Sequence, residues 1–420
     1  MKSFMAVSPD SDFPIENLPY GVFTPSGETN PRIGVAIGDQ VLDLSVLEQE
    51  GLLDCPGFLS KDYFSQSSLN SFMELGKPAW HAVRAQLMFL LSEDQPALRD
   101  SDDLRRKAFF RQDSVTMHLP VKIGDYTDFY SSRHHAFNVG TMFRGAENAL
   151  MPNYLHVPIA YHGRASSVIP SGVDIHRPVG QTKPKDATAP QFGPSKLFDF
   201  ELEMGFFIGK ANPLGQPVDI NDAEEHIFGF VLVNDWSARD IQTWEYQPLG
   251  PFNAKNFATS ISPWVVTMDA LQPYKIAGPV QEPVPFPYLQ AKDHWSLDIK
   301  LDILLQIETM KTPERIAQSN YKHLYWTPAQ HVAHHTITGC NLQPGDLLAS
   351  GTISGPEKSE RGSMLELSWR GTEPIELSNG KTRSFINDGD RVIMRGYCIR
   401  NGIRIGFGEV NTKLLPALPA

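Results

Sequence analysis

Residues Leu197 to Gly209, LFDFELEMGFFIG, alternate between two chemistries. Phe198, Phe200, Leu202, Met204, Phe206 and Ile208 occupy one set of positions, and Asp199, Glu201 and Glu203 the other. This is the period of a strand, whose successive side chains point to opposite sides of a sheet. The apolar face buries itself without further help. The acidic face does not: same-face neighbours stand roughly 6.6 Å apart, and at an effective dielectric of ~20 two carboxylates at that distance repel by about 2.5 kcal/mol. Either water screens the face, cutting the repulsion to well under about 1 kcal/mol, or a bound cation reverses its sign. The strand alone leaves both open.

At 420 residues the chain exceeds the ~250 to 300 at which one core stops growing, so two domains are expected. The charged, weakly periodic stretch after Leu91 puts the boundary near Pro120, giving a unit over 1–119 and a larger one over 120–420. The 32 Gly and 33 Pro favour many turns and a mainly β class. A formal charge of -11 with no Lys/Arg run argues against nucleic-acid and membrane-surface partners, which need a basic footprint, and points to a small-molecule ligand. Cys55, Cys340 and Cys398 are odd in number and scattered, so neither a disulfide framework nor a paired metal motif is expected. With no signal-peptide pattern and no apolar run near the roughly 18 residues that span a bilayer, a cytoplasmic location is expected.

Extended pieces GVFTP and RIGVAIGDQVLDLS, with a turn at Gly38-Asp39, open the chain as a small β unit, followed by a helix over Pro78 to Leu91. The apolar run Ile227 to Val233 is a buried strand ending at Asn234-Asp235. The helix-like segment after it sets Arg239, Gln242 and Tyr246 on one face. Thr327 caps a short helix, and Asn401-Gly402 turns a closing hairpin.

Four carboxylates, Asp128, Glu201, Glu203 and Asp235, have apolar or aromatic neighbours and would suit a hard cation, calcium or magnesium rather than zinc. His331 and His335 have the i, i+4 spacing of a zinc-protease helix but lack the Glu after the first His, so a packed or surface helix with incidental histidines is the preferred interpretation. There is no G-x-S-x-G elbow, dinucleotide fingerprint or P-loop. His134 and His135 are candidate general bases, expected to point in different directions if the local chain is extended. Arg144, Arg239 and Lys255 could receive substrate carboxylates.

The segments DYTDFYSSRHHAFNVGTMFRG, MPNYLHVPIAYHGRASS, LFDFELEMGFFIG, FVLVNDWSARDIQTWEYQPLGPF, KNFATSISPWVV and LASGTISGP together resemble the fumarylacetoacetase family, in order and across most of the second unit. The resemblance implies a small Src-homology-3-like β-barrel before a larger β-sandwich-like β-roll, a homodimer, and hydrolysis of the carbon-carbon bond of 4-fumarylacetoacetate to fumarate and acetoacetate, the last step of tyrosine and phenylalanine breakdown. It implies calcium on Asp128, Glu201, Glu203 and Asp235, and magnesium on Asp235, Lys255 and Thr259. It further implies His135 as base oriented by Glu366, with Arg239, Gln242 and Lys255 meeting developing negative charge. Tyr130, Arg144, Tyr161, Gln242, Tyr246 and Thr352 would contact the diketo diacid, and the metal would lower the cost of the departing carbanion.

The chain departs from the family pattern at His134, at Phe137, and at Ala254 and Ala258, where glycines often flank the lysine. Two rival functions follow from the same residues. An acylpyruvate hydrolase, decarboxylase or isomerase of the same superfamily would keep the metal carboxylates without needing the His135 and Glu366 pair. A non-catalytic calcium-stabilised binding protein would leave His135, Arg239, Gln242 and Lys255 unexplained.

Overall fold

The computed structural model describes residues 2–53, 55, 57–58 and 62–419, and the fold is mainly β. Met1 and Ala420, the ends of the two expected units, lie outside the described residues. The first unit is a five-stranded antiparallel sheet in the order Phe109–Arg111, Gln40–Asp43, Arg32–Ile37, Tyr20–Pro25, Val115–Met117. Gly38, at φ +58°, makes the expected turn between strands paired at Ile37 and Gln40. The helix Lys77–Leu91 has Pro78 in its first turn, where the missing N–H has no helical partner to lose.

An eight-stranded sheet dominates the rest of the chain. Its path runs Ala160–Gly163, Tyr126–Phe129, Leu347–Ala349, Leu202–Ile208, Ile227–Asp235, Thr259–Ile261, Val168–Pro170, with Val266–Thr267 also pairing with Ile227–Asp235. A five-stranded sheet, built around Lys300–Gln306 and the hairpin Arg391–Arg400 with Ile403–Leu415, packs against it. That hairpin closes at Asn401 and Gly402, at φ +52° and +77°, the two positive-φ positions a type I′ turn requires.

The stretch Leu197 to Gly209 is not one strand. Phe198–Asp199 pairs with Ser237–Ala238, Glu201 bridges to Ser363, and only Leu202–Ile208 enters the large sheet. The alternation holds through the break: Phe198, Phe200, Leu202, Met204, Phe206 and Ile208 all enter the core between the two sheets. On the opposite face Phe207 packs into a second core with Phe228, Val231, Val233 and, from the first unit, Val22, Val35, Phe72 and Trp80. The first unit therefore covers one end of the acidic face, and Glu203 lies toward the other.

This second core joins the two parts of the chain. The Phe228 ring lies 5.0 Å from Trp80, 5.8 Å from Tyr20 and 6.0 Å from Phe72. Phe228→Ala is expected to destabilise the protein by about 3 to 5 kcal/mol, the usual cost of emptying a buried aromatic site. Both units should unfold together, checked by urea unfolding followed by tryptophan fluorescence and far-UV circular dichroism. Among the described residues no helix is long and apolar enough to cross a membrane.

Candidate active site

A cavity of about 490 Å³ opens at the end of the large sheet where the acidic face is not covered. Asp128, Tyr130, His135, Arg144, Tyr161, Glu201, Glu203, Arg239, Gln242, Tyr246, Lys255 and Thr352 line it. Asp235, Thr259 and Glu366 stand behind that wall: Asp235 accepts from Tyr161 Oη at 2.8 Å and from Thr259 Oγ1 at 3.4 Å. Three strands of one sheet carry the acids, Asp128 on Tyr126–Phe129, Glu203 on Leu202–Ile208 and Asp235 at the end of the neighbouring Ile227–Asp235, with Leu347–Ala349 between the first two. The expected helix face is present on Arg239–Glu245, which sends Arg239, Gln242 and Tyr246 into the cavity.

The four candidate metal carboxylates do not behave alike. One oxygen each from Asp128, Glu203 and Asp235 lies within 4.8 Å of the others, and all three residues are buried. Both Glu203 oxygens and Asp128 Oδ1 are buried with no hydrogen-bond partner. Burial, and then the neighbouring acids, push the Asp128 and Glu203 carboxyls well above the ordinary range. Buried carboxylate oxygens without donors are costly, and a hard cation is what this set of ligands fits. Glu201 is engaged differently. Its Oε1 accepts from Arg239 Nη2 at 2.7 Å and its Oε2 from Lys255 Nζ. Burial pushes its carboxyl up, but Arg239, Lys255 and His135 outweigh that and hold it well below the ordinary range.

His135 and Glu366 form a buried pair, with Nδ1 and Oε2 2.6 Å apart. Glu366 also accepts from Asn138 Nδ2 at 2.9 Å, Ser354 Oγ at 2.9 Å and Ser363 Oγ at 2.8 Å. Burial raises its carboxyl, but His135 and these donors bring it down to about 2. The two adjacent histidines are on a helix, and they point in different directions there too. They open the helix Arg133–Arg144, capped by Ser132, where successive residues turn by about 100°. That rotation sends His135 into the cavity and leaves His134 half-buried beside His323, ring centroids 6.2 Å apart. Gly140 is obligatory in this helix, because an added Cβ would sit 1.8 Å from the Ala149 carbonyl oxygen. That carbonyl also accepts from Arg144 Nη2 at 2.6 Å, so the same close approach fixes the arginine in the cavity wall.

His331 and His335 are not brought together as metal ligands. From the helix Pro328–Thr336 they bond Ser131 Oγ at 2.7 Å and Thr127 Oγ1 at 2.9 Å, and His331 stacks on Phe129 with centroids 4.1 Å apart. Burial, with smaller effects from His334 and His335, lowers His331 to about 3, so it is neutral. The pair braces the back of the strand whose other face presents Asp128. Ala254 and Ala258 are buried and are not among the described residues with positive φ, so alanine fits their backbone.

Sequence reasoning missed Asn138, Ser354 and Ser363 as partners of Glu366, and gave Asp199 no separate role. Asn138 had a signal, its i, i+3 spacing from His135 on one helix. Ser363 had one too, the S-x-x-E spacing of a helix cap before Glu366, whereas Ser354 had none, since only the folded loop brings it to the carboxylate.

Two family models match the chain: Fumarylacetoacetase N-terminal over residues 16–120 and Fumarylacetoacetate (FAA) hydrolase C-terminal over residues 125–414. Fumarylacetoacetase of Bos taurus is 60% identical over 418 residues, spanning 99% of each chain. Fumarylacetoacetase of Homo sapiens is 59% identical over 418 residues, again spanning 99% of each. The solved structure of a fumarylacetoacetate hydrolase from psychrophilic Exiguobacterium antarcticum shares the fold at a TM-score of 0.53 and 16% identity, covering 95% of this chain and 99% of that one. With the two family models together matching most of residues 16–414 and relatives aligned over nearly its whole length, the chain belongs to the fumarylacetoacetase family.

Proposed function

We propose that this protein hydrolyses 4-fumarylacetoacetate to fumarate and acetoacetate. The observation that carries the proposal is one cavity holding a buried His–Glu pair, a cationic wall and an acidic triad within reach of one small substrate. Asp128, Glu203 and Asp235 would hold a divalent cation, with Glu201 adjacent, and that cation would polarise the diketone oxygens and offset their developing charge. Calcium is the preferred ion for this set; the magnesium that the resemblance places on Asp235, Lys255 and Thr259 would have to use the Lys255 backbone carbonyl, because Lys255 Nζ donates to Glu201 and Asp235.

With Nδ1–H donated to Glu366, His135 presents the Nε2 lone pair to the cavity and takes a proton from water. The water oxygen then adds to the carbonyl carbon beside the fumaryl group. Lys255 donates to Glu201 and Asp235 and keeps a third N–H for the oxyanion. Gln242 accepts from Arg239 Nη1 through Oε1 at 3.1 Å, which turns its NH₂ outward as a second donor. When the carbon-carbon bond breaks, its electron pair passes into the acetoacetate half. The imidazolium returns its proton there, and the new fumaric carboxyl ionises. Tyr130, Arg144, Tyr161, Tyr246 and Thr352 would position the diacid.

The test is loss of the conjugated absorbance of fumarylacetoacetate on mixing with purified protein, with and without chelator, beside an acylpyruvate as the competing substrate. Turnover of the acylpyruvate alone would overturn the assignment. Arg239→Lys should lower kcat/KM by at least about tenfold, since lysine cannot reproduce the planar fork that bonds Asp199, Glu201 and Gln242 together. An unchanged value would remove Arg239 from the reaction. The division into units at 1–119 and 120–420 and the cytoplasmic location stand as proposals on the sequence pattern, and the homodimer as one on the family resemblance. Gel filtration with light scattering tests the dimer.

A further inference from the structure

Asp199 belongs to the acidic face of the central stretch, yet it is turned away from the acidic triad. It is fully buried, and every acceptor direction is used: Oδ1 takes Phe200 N at 2.8 Å and Met364 N at 2.7 Å, and Oδ2 takes Leu365 N at 3.0 Å and Arg239 Nε at 2.9 Å. Met364 and Leu365 open the short helix Met364–Leu367 that carries Glu366. One carboxylate thus touches both the arginine of the cavity wall and the backbone that aims the partner of His135. Among the described residues no other side chain bonded to the Glu366 carboxylate also bonds Arg239: besides that carboxylate, Ser354 Oγ takes Gly362 N at 2.9 Å and Ser363 Oγ takes Glu366 N at 3.3 Å.

We propose that Asp199 is a positioning residue that locks the His135–Glu366 pair in register with Arg239, so that proton removal from water and stabilisation of the oxyanion occur in one fixed geometry. The proposal rests on the roles given above to His135 and Arg239. A hydrogen-bonded carboxylate suits this task better than an amide. Its two oxygens accept four bonds at once, whereas Asn would point an NH₂ at donors on one side or the other.

The test compares wild type with Asp199→Asn and with Asp199→Ser, which sets no misdirected NH₂ against the amides. Activity is taken per folded molecule, with the folded fraction from near-UV circular dichroism. We expect kcat to fall by at least about tenfold with KM changing by less than about threefold. Independently of substrate, the side-chain ¹⁵N shifts of His135 at neutral pH should show a single Nδ1–H tautomer in wild type and a mixture in the variants. Asp43→Asn is the control: Asp43 is equally buried, in the first unit, and holds Arg32 and Ser45, so activity per folded molecule should be unchanged. Wild-type kcat and tautomer in both Asp199 variants, or failure of both to fold, would return Asp199 to a purely structural role. A wild type inert toward fumarylacetoacetate would overturn the function while the tautomer comparison still decides the positioning.

Discussion

His135→Ala is expected to lower kcat by roughly 10² to 10⁴, the range for losing a general base, while cation binding stays intact. The reason is geometric. His135 alone of the two adjacent imidazoles lines the cavity and meets Glu366, whereas His134 lies beside His323. His134→Ala should therefore cost far less, even though the two are neighbours in the chain. Glu366→Gln should fall between them: an amide at this position sets an N–H donor among Asn138, Ser354 and Ser363 and no longer favours Nδ1–H on the imidazole. Steady-state kinetics with metal content measured on each sample checks the order. A larger loss from His134→Ala would overturn the assignment of the base.

The same pair bears on acid stability. Glu366 is held at about 2, below the ~4.3 of an unfolded glutamate, so its contribution is present above the unfolded value and is lost as pH falls from there toward 2. Unfolding between pH 5 and 2 should be less pH-dependent in Glu366→Gln than in wild type.

Removing the divalent cation is expected to abolish turnover, and cation affinity is expected to rise with pH. In the cation-free protein, burial and then their acidic neighbours raise the Asp128 and Glu203 carboxyls well above their ordinary range, and burial raises Asp235 despite Lys255. Protons therefore compete with the cation for the triad. Apparent affinity should climb until the raised values are passed. Calorimetry in buffers of different ionisation enthalpy should register proton release on binding.

Stability follows with a definite sign. A carboxyl whose folded value lies above its unfolded one favours the folded state at low pH, and that support disappears as pH rises from about 4 toward the folded value. A bound cation restores it, so the gap in Tm between loaded and stripped protein should widen with pH. Glu203→Gln should weaken cation binding and activity together, because both Glu203 oxygens lack any other partner. Affinity independent of pH, or full activity in a sample proved metal-free by elemental analysis, would sink this.

Much of the molecule follows from local pattern. Period-two alternation from Phe198 to Ile208 is enough to bury one face, and it does so even across the break in the strand. Gly38, Asn401-Gly402 and Pro78 act through backbone conformations available to few other residues, so their turns and helix start were legible. The segments that resemble the family were legible too, because they carry side chains rather than contacts.

What local pattern could not assign was the division of labour along the acidic face. Asp199, Glu201 and Glu203 have the same spacing and nearly the same chemistry, yet Asp199 holds the Glu366 helix, Glu201 meets Arg239 and Lys255, and Glu203 joins Asp128 and Asp235. Each partner comes from a distant part of the chain, and a carboxylate's role is set by which charge or amide lies within about 3 Å of it. Local pattern offered His134 and His135 alike; the resemblance chose His135, and the fold shows its contact with Glu366. Sequence alone determined that this chain carries paired strands, an acidic face opposite an apolar one and, through the family resemblance, an imidazole suited to metal-assisted hydrolysis. Only the tertiary structure decided which acid faces a cation, which faces a protein donor and which imidazole finds its carboxylate, because electrostatics and hydrogen bonding act over ångströms in space and not along the chain.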